Sequence, residues 1–327
     1  MVVYTSIAVF LFFAIALVIP SGFSVGALLL LVGSLVLLHK RGMVRLQRDE
    51  KLLISVLAFY FLASCLANGV HGAPIREYDS PMRFLLAIPV LFLLRAFPPR
   101  PYFFWSGLAA GAISSGLFAA WQFFLTGNMR AEGFTNPIQF GNISILLGIF
   151  CLAGLGWAAS QRRSVFWLSL LSCGIFLGLL GSLLSESRGS WISFPIALLV
   201  VYRCYGCVLN KRHVATSLAA MVLLFGVLYV VPQSPMEGRV KLAVTEAQAY
   251  IKSGNSTTSV GARLEMWRTG LMLIPEHPWL GWGKEGYVKG AANLVETGKA
   301  RLVPGEHNHL HNEYLDSLVK RGLLGLI

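Results

Sequence analysis

The chain has 327 residues, 55% of them hydrophobic and 13% charged, with a net charge of +12 and a mean hydropathy of +0.65. Soluble domains carry about 25% charged residues, so this composition excludes a disordered chain, a coiled coil and a soluble nucleic-acid binder. An all-α integral membrane protein follows, in which the basic surplus first reads as Lys and Arg gathered in cytoplasmic loops.

A spanning helix takes about 20 mostly apolar residues. In chain order we read nine spans. Val2–Ile19 is closed by Pro20 and followed by Gly22–Leu38 and a basic block, His39 to Lys51. Then come Leu52–Ala67, Met82–Phe97, Tyr102–Leu125, Gly141–Ser160, Val165–Leu184, Trp191–Leu209 and His213–Val231. The first lacks the basic n-region and small-x-small site of a signal peptide, and we keep it as a span. With the N-terminus inside, the cytoplasmic loops hold twelve basic residues: Lys40, Arg41, Arg45, Arg48, Lys51, Arg95, Arg100, Arg162, Arg163, Arg203, Lys211 and Arg212. The external loops and helix ends before residue 232 hold four: Arg76, Arg83, Arg130 and Arg188. This asymmetry orients residues 1–231 as a transmembrane bundle and places the polar segment 232–312 outside, as one large loop.

That loop carries nine Lys or Arg, seven Glu and no Asp. Ala243–Lys252 and Gly261–Ile274 read as helices, the second with Leu264, Trp267, Leu271 and Ile274 on an apolar face. His277-Pro278 and Gly281-Trp282-Gly283 break the pattern into a loop. His311–Lys320 reads as a short helix with Tyr314, Leu315 and Leu318 on one side. From Gly322 the chain is apolar, so 313–327 is expected to hold the end of an amphipathic helix and the start of a further, truncated span. The five cysteines imply no disulfide framework, and Cys204 and Cys207, without a second pair, make no zinc site.

Candidate chemistry lies on the external side. Arg188, in the turn Ser185 to Ser190, either pairs with Glu186 or forms an anion site, since a guanidinium is planar and permanently charged. Arg263 opens an external helix as a solvated charge or a second anion ligand. Arg268 has neighbours that suggest no pocket. Glu306 to Asn312 holds His307, His309 and His311, three of the seven histidines. The residues alone leave three readings open: a metal site of two or more imidazoles, a single neutral imidazole acting as general base, or a polar loop tip. Converging Arg charges would lower a histidine pKa and favour the base. Glu77-Tyr78-Asp79 is an acid-x-acid element able to hold a divalent cation, or simply a pair of loop carboxylates. Glu132 to Pro137 reads as a proline-set helix start.

In order, these elements resemble the bacterial O-antigen ligase and polymerase superfamily. The matching pieces are Ser187-Arg188-Gly189 before a span, Arg263 with Trp267, His277-Pro278-x-x-Gly281-x-Gly283, and His311-Asn312-x-x-Leu315 followed by Gly322-x-x-Gly325. Asp79-x-Pro81-x-Arg83 and Gly133-x-x-Asn136-Pro137 are similar as well. The resemblance implies a bundle of about twelve spans with a periplasmic loop, in the bacterial inner membrane. It implies an inverting, metal-independent glycosyltransferase without a cofactor, acting on a glycan carried by undecaprenyl diphosphate. In a ligase the acceptor is a sugar hydroxyl of lipid A–core; in a polymerase it is another lipid-linked repeat; a protein O-oligosaccharyltransferase is a third member type. By motif, His311 is the expected base, Arg188 and Arg263 the diphosphate ligands, and Arg83 and Asn312 further substrate contacts. The compact late loop favours the ligase. Outside the family stand a metal-dependent lipid-phosphosugar transferase using Glu77 and Asp79, and a flippase or transporter.

Overall fold

The computed structural model of the chain describes residues 1–39, 46–128, 130–187, 199–200, 203, 235–301, 303 and 308–326. Every regular element among them is helical. The expected span His213–Val231 and, but for residues 199, 200 and 203, the expected span Trp191–Leu209 lie outside the described residues, as do Arg188, His307 and the Cys204–Cys207 pair.

Among the described residues four helices are long and apolar enough to cross a membrane: Arg48–Val70, Pro101–Leu125, Pro137–Ala159 and Ser164–Leu184. They contain four of the expected spans. The first expected span is shorter than read. Its helix α1 covers Val2–Ala14, and 13 residues rise only about 20 Å. Pro20 cannot continue it, and Ser21 at φ 55 turns the chain into α2, Gly22–Ser34. Helix α3 is Arg48–Val70, and α4, Asp79–Ala96, carries Pro89 in its interior.

The chain divides into two compact units: Met1–Val44 with Pro89–Met236, and Arg45–Ile88 with Glu237–Ile327. In the first, α1 and α2 pack with α5 (Pro101–Ala120), α6 (Pro137–Ala153), α7 (Leu155–Ala159) and α8 (Ser164–Leu184). Where apolar surroundings weaken the hydrophobic drive, helices associate through small residues and hydrogen bonds. Here Ser144 of α6 pairs with Ser115 of α5 at 2.9 Å and donates to the Gly178 carbonyl of α8 at 2.9 Å. A Cβ on Gly178 would stand 2.7 Å from the Ser144 carbonyl oxygen, so that crossing needs glycine. The proline-set start of α6 is as expected, with Asn136 accepting from the Gln139 N–H at 2.8 Å.

The second unit holds α3, the start of α4, and four helices of the polar segment: α9 (Pro235–Ser253), α10 (Ser259–Leu273), α11 (Gly283–Glu296) and α12 (Glu313–Arg321). Leu273, Tyr287, Ala291, Leu294, Leu310 and Val319 form its core. Helix α11 is absent from the sequence reading; its Gly283, Gly286 and Gly290 lower intrinsic helicity, while Tyr287, Ala291 and Leu294 on one face bury it. The expected apolar faces of α10 and α12 hold in part, since Trp267, Ile274 and Leu315 pack against this core; the rest is corrected. Leu271 is 57% and Tyr314 80% exposed, while Glu265, Thr269, Gly270, Asp316 and Ser317 turn inward. Small and hydrogen-bonded residues face the core because the loop before α12 approaches closely: a Cβ on Gly270 would meet Leu310 at 2.4 Å.

Candidate active site

The loop leading into α12 is held from both sides. Trp267 of α10 donates its indole N–H to the Leu310 carbonyl at 2.9 Å. Asp316 of α12 accepts the Leu310 N–H at 3.0 Å. Lys320 bridges the Asn308 carbonyl at 2.6 Å and both Asp316 oxygens at 2.6 and 2.7 Å. These grips leave His311 exposed at the loop's end, with φ 53. That left-handed backbone is uncommon for a residue with a Cβ, though histidine is among those enriched there. The His311 N–H donates to His309 Nδ1 at 2.9 Å.

Arg263 reaches the same place by helix geometry. Thr258 caps α10, accepting from the Gly261 N–H at 3.1 Å, and Glu246 accepts the Val260 N–H at 3.0 Å. Arg263 and Trp267 stand four residues apart, on one face, and Trp267 fixes that face against Leu310. Arg263 is exposed and forms no ion pair among the described residues. Its charge is felt at His311, whose pKa lies below its ordinary 6.5: partial desolvation of the ring lowers it most, then His309 and Arg263, with Asp316 opposing. A neutral imidazole and an uncommitted guanidinium thus share one corner of the unit. The first can take a proton; the second can hold an anion.

The other predicted residues fall differently. Asn312 caps α12, its side-chain oxygen accepting the N–H groups of Tyr314 and Leu315 at 3.1 and 3.3 Å. Arg83 pairs with Asp79 one turn earlier at 2.5 Å on an exposed surface, and no hydrogen bond or ion pair joins it to Arg263 or His311. Glu77 is taken by Lys284 at 2.8 Å and Arg76 at 3.8 Å, so the two carboxylates of the acid-x-acid element are neutralised separately. Among the described residues no cluster of three His, Cys, Asp or Glu forms.

Arg268 is structural, as its neighbours suggest. It pairs with the fully buried Glu265 at 3.0 Å. Glu265 also accepts the Tyr250 hydroxyl at 2.5 Å and the Arg301 N–H at 2.8 Å. Burial pushes the Glu265 pKa up, but Tyr250, the Arg301 N–H and Arg268 together bring it below its ordinary value. Tyr250 is pushed up to about 12 by burial and by that carboxylate. Asp316 and Lys320, which position the His311 loop, escaped the sequence reading; their only signal was an i,i+4 acid–base pair on the helix after the histidines.

Residues 173–327 match the family model described as O-antigen ligase. A Haemophilus influenzae protein described only as uncharacterised is 30% identical over 324 residues, 98% of this chain and 81% of its own length. An O-antigen ligase of Escherichia coli is 25% identical over 188 residues, 56% of this chain and 42% of that protein. The resemblance read from the motifs and these matches agree: the chain belongs to the O-antigen ligase superfamily, a group of membrane glycosyl-transfer enzymes.

Proposed function

We propose that the chain is an O-antigen ligase, moving a glycan from undecaprenyl diphosphate to a sugar hydroxyl of lipid A–core at the periplasmic face of the inner membrane. The observation that carries this reading is the exposed His311, presented at the end of a loop held by Trp267, Asp316 and Lys320, with the Arg263 charge felt at its ring. In this mechanism His311 takes the proton of the acceptor hydroxyl as that oxygen attacks the anomeric carbon. The bond from that carbon to the diphosphate oxygen breaks, the configuration inverts, and the leaving diphosphate gains negative charge. Arg263 meets that charge. Arg188 enters the proposal on its sequence motif, as a second guanidinium for the same diphosphate. Fixed cations aimed at developing charge are worth several kcal/mol of barrier, so the reaction runs without a metal.

The test is mass spectrometry of lipopolysaccharide from a deletion strain, complemented with wild type or with His311→Ala. Core lacking all O-chain in the deletion and in His311→Ala supports the ligase. Core capped by a single repeat identifies a polymerase instead. In vitro transfer should survive EDTA; loss on chelation, restored by Mg²⁺ or Mn²⁺, would move the chemistry to Glu77 and Asp79.

A further inference from the structure

Within the second unit a cleft of about 490 Å³ opens between the turn that ends α3 and the first turns of α11. Its size is that of a small-molecule site, and its wall is polar in both senses. Lys284 and Arg76 share Glu77, while Lys289 makes no ion pair among the described residues. His71 donates Nε2–H to the Leu280 carbonyl at 3.1 Å; a carbonyl only accepts, so in the neutral ring Nδ1 is left to accept from a ligand. Trp282 spends its N–H on the Leu273 carbonyl at 2.8 Å, which leaves the cleft the indole ring and not its donor. An aromatic surface beside alternating donors and acceptors suits a saccharide, and the unpaired Lys289 suits an anionic substituent on it.

One further wall residue connects this cleft to the chemistry. Asn308 lines it, and three residues of chain, at most about 10 Å, separate Asn308 from His311. Lys320 and Asp316 hold that short stretch rigid. The cleft therefore ends at most about 10 Å along the backbone from the base. We infer that it is the acceptor site: it binds a hydroxyl-rich saccharide bearing a phosphate or carboxylate, with Lys289 on the anion, and presents the accepting hydroxyl toward His311. This rests on the ligase reading given above.

The experiment uses the full chain in lipid nanodiscs and, as probe, core oligosaccharide freed of lipid A by mild acid. Direct binding is measured beside transfer kinetics, in wild type, Lys289→Glu and Val288→Trp, with Lys299→Glu as a charge control outside the cleft. Losing a charge-assisted hydrogen bond should weaken probe binding and raise the acceptor KM by about tenfold in Lys289→Glu. Val288→Trp, which fills the cleft, should do the same, while donor KM and the Lys299→Glu control stay at wild-type values. Probe binding that both cleft variants leave unchanged overturns the assignment and leaves the ligase reading standing. A raised donor KM with unchanged probe binding gives the cleft to the donor glycan instead. A wild-type chain that neither binds the probe nor transfers to lipid A–core overturns the ligase reading and the cleft assignment together.

Discussion

At His311 the backbone and the ring make separate, testable demands. A φ of 53 costs a Cβ-bearing residue about 1 kcal/mol or more, which glycine avoids at a similar entropic cost in the unfolded chain. His311→Gly should therefore stay within about 1 kcal/mol of wild-type stability while losing transfer and keeping donor binding. Coincident loss of fold and activity would make the side chain a packing element. The ring's pKa is below 6.5, from partial desolvation first, then His309 and Arg263. A base works in its neutral form, and a lowered pKa keeps that form at lower pH. The acid limb of kcat/KM should thus fall below pH 6.5 and move upward in Arg263→Gln, which removes one lowering charge. The position of the limb is the readout, because its height also reports lost diphosphate binding. Asn312 poses a different choice, between cap and substrate contact. Its oxygen is committed to α12, so Asn312→Ala should cost about 1 kcal/mol, and Asn312→Asp should keep both stability and transfer. Activity lost in Asn312→Asp would return the amide to the substrate.

The loop that presents His311 depends on an element-scale device, the Asp316–Lys320 pair, whose side chains are 12 and 13% exposed. Burial lowers the Lys320 pKa while Asp316 raises it, so removing the carboxylate leaves a buried cation with one carbonyl for company. Asp316→Asn should lower unfolding stability by about 3 kcal/mol and depress transfer, because the Leu310 and Asn308 anchors loosen together. Adding Lys320→Met should restore most of the stability, since it removes the buried ammonium that has lost its counter-charge. Stability that does not recover in the double variant would mean that the Asn308 carbonyl needs the ammonium. This device also shows where sequence patterning failed. Hydrophobic period found the existence of α10 and α12 and put Trp267, Ile274 and Leu315 against the core, but it also assigned Leu271 and Tyr314 there, which are exposed. The true inner faces carry Gly270, Thr269, Asp316 and Ser317, which become core residues only when distant partners satisfy or crowd them. Leu310, 43 residues from Trp267, cannot be seen from inside α10. By contrast, the order of the motifs around Arg263 and His311 was legible, because side-chain chemistry is written locally even when packing is not.

For the whole molecule, composition alone announced a helical membrane protein, and of the nine spans read from the apolar runs four correspond to helices of sufficient length among the described residues. The side of the membrane on which 232–312 lies rests on charge, with twelve basic residues in one set of loops and four in the other. Positive loops are retained in the cytoplasm during insertion, and the proposed reaction, with its donor diphosphate at the periplasmic leaflet, requires His311 and Arg263 on that side. Two exposed serines separate the alternatives. Ser253 ends α9 and Ser160 follows α7; the first belongs to the expected periplasmic loop, and the second is the cytoplasmic end of an expected span. In a background with all five cysteines replaced, Ser253→Cys should react with a membrane-impermeant maleimide in intact spheroplasts, and Ser160→Cys only after lysis. Both substitutions touch solvated positions, so neither should disturb insertion, and transfer activity in each variant checks that it has not. The reverse labelling pattern would place the His311 loop in the cytoplasm, away from any periplasmic acceptor, and the ligase reading would fall with it.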